Sequence, residues 1–303
     1  MQSFSYKIKS EILDGINSRL KADACLLGIL YTCKKMSVGG ITFVTENKRT
    51  VDFFVRSVNT VCGEDAVKIT ESKKSSSVVY LAEVNEAHSK QVFAYFKLSE
   101  NFRDNNYENA VLPKRKVLPQ FIGGVFLSSG SISDPNKDYH MEFVFQDIGM
   151  CNFFGLALLE NYGILAKQTE RKNSQVVYIK ESENIEDMLT LMGAQNGSLE
   201  IMNIKILKDI RNKINRAVNC DNANIEKTLK AAEKQIADIE LIEKSMGLGG
   251  LPDDLREIAE IRLENPDFNL KELGQALNPP ISRSGANHRL ARISKLAEEI
   301  RNK

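Results

Sequence analysis

Hydrophobic and polar positions follow two rhythms along this chain, and the first occurs twice. Two short runs of apolar and small residues, Leu26-Leu27-Gly28-Ile29-Leu30-Tyr31-Thr32-Cys33 and Ile122-Gly123-Gly124-Val125-Phe126-Leu127-Ser128-Ser129-Gly130, predict buried helices. After each comes a stretch of period-2 alternation, Ile41-Thr42-Phe43-Val44 and His140 to Phe145, and then an amphipathic helix over 51–62 or 148–161. Residues 61–97 and 161–192 then each predict strand, polar turn, strand and helix. The tripeptide Val78-Val79-Tyr80 recurs as Val176-Val177-Tyr178, 98 residues on, and Gly28 and Gly124 lie 96 apart. Residues 22–194 therefore predict two tandem α-β-α-β-β-α units differing by one or two loop residues.

Beyond residue 197 the rhythm becomes purely helical. Ile201, Ile204 and Leu207, then more weakly Ile210 and Ile214, recur at three or four. Asp221-Asn222-Ala223-Asn224 interrupts, capping one helix and starting another over 225–245, and Gly247 to Gly250 closes it. A compact three-helix unit follows. Pro252 suits a first helical turn, Asp253 and Asp254 suit its positive dipole end, and Asn265-Pro266 ends it. Its core positions are Leu255, Ile258, Ala259 and Leu263. Asn269 with Glu272 predicts a capping box for a short second helix burying Leu270, Leu273 and Leu277. Asn278-Pro279-Pro280 breaks the chain, Ile281 covers the turn, and Ser282 caps a third helix running to Glu299. The domain bounds are thus 1–99, 100–196, 197–250 and 251–303.

That spacing of helix, turn and helix is the helix-turn-helix pattern, and charge orients it. Residues 251–281 hold three basic and seven acidic side chains, whereas 282–303 hold six basic and two acidic. The third helix buries Ala286, Leu290, Ile293 and Ala297. Its other side carries Ser284, Asn287, His288, Arg292 and Lys295, with Arg283 at its start and Arg289 on a flank. A helix entering the major groove reads base edges from its N-terminal residues and meets phosphates further along. Ser282, Arg283, Ser284, Asn287, His288, Arg289, Arg292 and Lys295 are the candidate DNA-binding residues. A solvated basic helix in a protein-interaction module is the alternative.

Composition changes this picture little. The chain has 303 residues, 42% hydrophobic and 27% charged, with net charge +1, so any nucleic-acid surface must be local. Five scattered cysteines without CxxC spacing argue against a disulfide framework or zinc site and fit a reducing cytoplasm. No targeting segment, membrane span or cofactor motif is expected. In the second repeat, alternation puts Lys167, Thr169 and Arg171 on one strand face, and Lys68, Thr70 and Ser72 are their equivalents. Together they are a candidate basic saddle tracking phosphates, or a solvated sheet face.

The two glycine-centred helices resemble the motif of the LAGLIDADG homing endonucleases. That resemblance implies two helices packed at a pseudo-twofold axis, each ending in an acid that holds a catalytic metal. Cys33 falls at the first acid with Lys34 at its following glycine, and Ser129 falls at the second with Gly130 kept. Thiol and hydroxyl are not hard carboxylate ligands, so no metal and no nuclease activity are expected. A degenerate pair of this kind followed by a helix-turn-helix is similar to the WhiA family of bacterial regulators, over nearly the whole chain. The segments that carry the likeness are Gly130-Ser131-Ile132-Ser133-Asp134-Pro135 with Tyr139-His140-Met141-Glu142, Asn215 to Asn224, and Ser282 to Leu290. Ile122-Gly123 departs from the family, which tends to carry arginine before the motif glycine. The resemblance implies an α+β tandem repeat joined by a helical linker to an all-α DNA-binding domain. It also implies a protein of the nucleoid that binds double-stranded DNA in cell division, chromosome segregation or sporulation gene control. A further regulatory or cell-division protein is an expected partner. A chromosome-tethered scaffold and an active endonuclease are the alternatives.

Overall fold

The computed structural model describes residues 3–73, 78–99 and 116–302. They form two compact units, Met1–Leu207 and Lys208–Lys303, each described by itself. The polar turn of the first repeat at 74–77 and the boundary placed at 99/100 touch segments outside the described residues.

In the first unit an N-terminal helix, α1 (Phe4–Asp14), precedes the repeats. The first repeat runs α2 (Arg19–Tyr31), β1 (Lys35–Ser37), β2 (Gly40–Thr45), α3 (Lys48–Cys62), β3 (Val67–Lys73), β4 (Val78–Val84) and α4 (Glu86–Phe96). The second runs α5 (Leu118–Ser129), β5 (Gly130–Ile132), β6 (Met141–Phe145), α6 (Ile148–Tyr162), β7 (Lys167–Arg171), β8 (Ser174–Ile179) and α7 (Ser182–Met192). The sheets have the same antiparallel order, β1-β2-β4-β3 and β5-β6-β8-β7. The repeat is therefore present, with one strand more per copy than the alternation showed. Strands β1 and β5 span three residues each, too few to display a period.

Within each copy the inward strand residues meet the amphipathic helix. Phe43 and Phe54 stack with ring centroids 4.9 Å apart, and Phe143 and Phe154 at 4.7 Å. The repeats themselves join through α2 and α5, and two glycines make that possible. A Cβ on Gly28 would lie 2.8 Å from the Val125 amide nitrogen and still closer to the Phe121 carbonyl oxygen. One on Gly124 would lie 2.9 Å from the Cys25 carbonyl carbon. The two backbones touch where side chains would hold them apart.

Strand register corrects the tripeptide match. Ile41 pairs with Val84 and Phe43 with Ala82, while Met141 pairs with Ile179 and Phe143 with Val177. Residues 82 and 177 are thus equivalent, not 80 and 178. Tyr80 pairs with Thr45 and is buried, whereas Tyr178 pairs with Glu142 on the opposite face. An odd register difference turns a side chain to the other face, so the two Val-Val-Tyr segments are alike only in sequence. The copies also differ by more than one or two loop residues. The offset rises from 96 between Gly28 and Gly124 to 100 between Phe43 and Phe143, then falls to 95 on β4 and β8.

The linker lacks the break expected at Asp221 to Asn224. One helix, α8 (Gln195–Met246), runs unbroken for 52 residues, with Asp221 to Asn224 exposed inside it. Its N-terminus is capped from α1, where the Glu11 carboxylate accepts from the Asn196 and Gly197 amides at 2.7 and 3.1 Å. Between 198 and 246 there is neither Gly nor Pro. Asn and Asp each cost only about 0.7 kcal/mol against Ala in a helix, too little to stop one flanked by strong helix formers.

In the second unit the C-terminal part of α8 packs on a 3₁₀ turn (Leu248–Gly250), α9 (Asp253–Glu264), α10 (Leu270–Ala276) and α11 (Arg283–Arg301). The core is Ile239, Ile242, Leu255, Ile258, Leu273, Leu277, Leu290 and Ile293 with small residues between them. The capping box forms: Asn269 Oδ1 accepts from the Lys271 and Glu272 amides, and Glu272 accepts from the Asn269 amide. Leu263 and Leu270, expected in the core, are half-buried, and Arg262 takes the inward position on α9.

Candidate nucleic-acid interface

The turn before α11 is built closely. Gly274 presents its carbonyl to the Ile281 amide at 2.8 Å, and a Cβ there would meet the Ile281 carbonyl oxygen at 2.5 Å. Ser282 then caps the helix, its hydroxyl accepting from the Gly285 amide at 3.2 Å. With α11 fixed at its start, Ala286, Leu290, Ile293 and Ala297 point inward. Ser284, Asn287, His288, Ala291 and Lys295 form one exposed stripe.

Not all the basic residues join that stripe. Arg289 donates to the Asp254 carbonyl oxygen at 3.2 Å and lies 3.9 Å from Glu257. Arg292 pairs with the Asp254 carboxylate at 2.8 Å. The opposite charges of α9 and α11 thus attract each other inside the unit. Arg301 pairs at 2.7 Å with Asp238, a fully buried carboxylate on α8. Among the described residues, Arg283 and Lys295 keep no acidic partner within 4.0 Å.

In the second unit two charged residues are buried that the sequence did not lead one to expect there, Asp238 and Arg262. The signal for Arg262 is its spacing: Leu255, Ile258, Ala259 and Arg262 stand at i, i+3, i+4 and i+7, so the arginine belongs to the apolar face. Its Nη1 donates to the Pro266 and Phe268 carbonyls at 3.2 and 2.7 Å, securing the chain as it leaves α9. Burial lowers its pKa from the usual arginine range. Asp238 gave no such signal, because its partner Arg301 is 63 residues away.

In the first unit the strand pairing expected for the saddle is present. Lys68 and Lys167, Thr70 and Thr169, and Ser72 and Arg171 occupy equivalent places on the exposed strands β3 and β7. Their charges are largely matched. Lys68 stands opposite Glu83, Lys167 lies 3.7 Å from Glu181, and Arg171 lies 3.4 Å from Glu142. Glu142 also accepts from Ser131 and meets His140 Nε2 at 3.3 Å.

The ends of α2 and α5 meet in a neutral cluster. Thr32 donates to the Gly28 carbonyl at 3.0 Å, Ser128 to the Thr32 carbonyl at 3.3 Å, and Ser129 to the Val125 carbonyl at 3.1 Å. Cys33 is buried, which pushes its thiol pKa up and keeps it protonated. Hydroxyls turned to backbone carbonyls and a neutral thiol do not fit a pair of hard divalent cations. Among the described residues no His, Cys, Asp and Glu side chains gather into a metal-holding group, and no helix is long and apolar enough to cross a membrane.

The family description "WhiA LAGLIDADG-like domain" matches residues 118–211, and "WhiA C-terminal HTH domain" matches 214–297. The chain is 38% identical over 312 residues to the "Probable cell division protein WhiA" of Clostridium perfringens, covering 99% of this chain and 98% of that one. It is 39% identical over 316 residues to the protein of the same name in Clostridium novyi, with 99% and 98% covered. Among solved structures, full-length DUF199/WhiA from Thermatoga maritima is similar over 98% of this chain and 99% of that one, at 28% identity and a TM-score of 0.58.

Proposed function

Because this chain belongs to the WhiA family, we propose that it binds double-stranded DNA sequence-specifically and acts in cell division, chromosome segregation or the transcription control serving them. The exposed stripe of α11, delivered by the capped Gly274–Ser282 turn, carries this reading. Ser284, Asn287 and His288 lie within its first two turns, where a helix in the major groove meets base edges. Lys295, two turns further, suits a phosphate, and Arg283 suits a phosphate at the groove's edge. Arg289 and Arg292 set the angle of α11 on α9 through Asp254 and Glu257 before they contribute charge to DNA. Such a protein resides on the nucleoid, and a regulatory or cell-division protein is a natural second partner.

The first unit serves as a retained scaffold of an ancestral endonuclease rather than an enzyme. Its motifs close on Cys33, just past the end of α2, and on Ser129, a donor set unsuited to activating water with metal. Purified protein incubated with its cognate duplex and magnesium should leave both strands intact; cleavage at a defined position would overturn this part of the reading.

The main test is site selection from random duplexes followed by affinity measurement at fixed salt. Asn287→Ala should lose roughly 1–3 kcal/mol of discrimination at one base position, because a lost bidentate contact leaves that base unread. Unaltered specificity in this variant would remove α11 as the reader. Mapping bound chromosomal sites should give sharp peaks at promoters, whereas diffuse coverage would favour a chromosome-tethered scaffold.

A further inference from the structure

One cavity of the second unit, about 490 Å³, is lined by the late part of α8, the start of α10 and the first residue of α11. Its charged lining residues are Lys227, Arg262, Lys271 and Arg283, and no Asp or Glu lines it. Four cations converge here without an acid, whereas elsewhere in the unit Arg289 lies beside Glu257, Arg292 pairs with Asp254 and Arg301 with Asp238. Arg262 is the telling member. It is 2% exposed, no carboxylate pairs with it, and its Nε has no hydrogen-bond partner. Nη1 holds two loop carbonyls, so the guanidinium plane is fixed while one N–H stays unused. A buried guanidinium without a counter-charge is costly, and a carboxylate or phosphate oxygen would offset that cost. Thr228, Gln235 and Asn269 add neutral polar groups to the same wall.

We propose that this cavity binds a phosphate group, held by Arg262 from within and by Lys227, Lys271 and Arg283 from the rim. Two sources share the chemistry. A free phosphate or phosphomonoester would make the cavity an effector site touching the first residue of α11. A phosphodiester of the bound duplex would make it an anchor setting the register of α11, and only that case rests on the DNA-binding reading above.

The experiment titrates inorganic phosphate into the full chain by calorimetry, with chloride holding ionic strength constant, and measures DNA affinity against salt. The variant is Lys227→Gln/Lys271→Gln, since both side chains are exposed and their loss spares the core. For a free phosphate, the wild-type chain gives a saturable isotherm that weakens at least tenfold in the variant, and a duplex still binds at saturating phosphate. For a DNA phosphate, duplex and phosphate compete, and the variant lowers the salt slope by about 1. Phosphate that binds both chains equally overturns the assignment. So does the absence of saturable binding together with an unchanged salt slope. Because the phosphate arm needs no DNA, its failure is separable from failure of the DNA-binding reading.

Discussion

Lys9 shows how one residue can set a pH response. It lies in the first unit with its ammonium 5.7 Å over the Phe126 ring, and burial lowers its pKa to about 8, partly opposed by Glu46. The usual lysine value is near 10.5, so between about 8 and 10.5 the unfolded chain binds more protons than the folded one. Stability from this group therefore rises with pH across that window, and the penalty is complete below it. Lys9→Met should raise the melting temperature at pH 7 and flatten the rise between pH 8 and 10, read by thermal unfolding at both ends. A melting temperature that drops at pH 7 would mean the charge is favourable where it sits. Nothing in the sequence marked Lys9, because the Phe126 ring beneath its ammonium comes from the distant helix α5. Arg262 carried a signal in its helical spacing although Leu263 was expected inward, and Asp238 carried none.

Among the elements, the paired helices α2 and α5 depend on contact between backbones. In an exposed helix, Gly→Ala gains up to about 1 kcal/mol. At Gly28 or Gly124 the added methyl meets main-chain atoms that cannot rotate away. Overpacking of that kind costs typically 1–3 kcal/mol and here outweighs the gain. Gly28→Ala and Gly124→Ala should each lower the urea midpoint; a raised midpoint would show that the helices can separate without loss. These helices were legible because small and apolar residues fill every position of 24–31 and 121–127. The unbroken course of α8 was not, since Asp221 to Asn224 looks like a cap until flanking turns on both sides override it. The Tyr80 and Tyr178 register was likewise hidden. A tripeptide carries no information about which face its strand will bury until the partner strand is fixed.

For the molecule as a whole, the question is which surface carries DNA. The sheet faces hold the expected cations, but Lys167 and Arg171 stand beside Glu181 and Glu142. Replacing both by Gln should leave the salt slope of DNA binding unchanged, whereas Lys295→Gln should reduce it by about 1. A flattened slope in the sheet variant would move part of the interface to the first unit. The sequence by itself determined the α+β class, the duplicated unit, the helix-turn-helix and the inward face of α11. Those follow from local periodicity, caps and small residues, which act within a few turns of chain. Only the tertiary structure decided which arginines of α11 face solvent and which bind Asp254. It alone turned Tyr178 outward, set acids beside the saddle's lysine and arginine, and drew Lys227, Arg262, Lys271 and Arg283 around one cavity. Electrostatic partnership depends on distance in space, and residues dozens of positions apart acquire it only when the chain has folded.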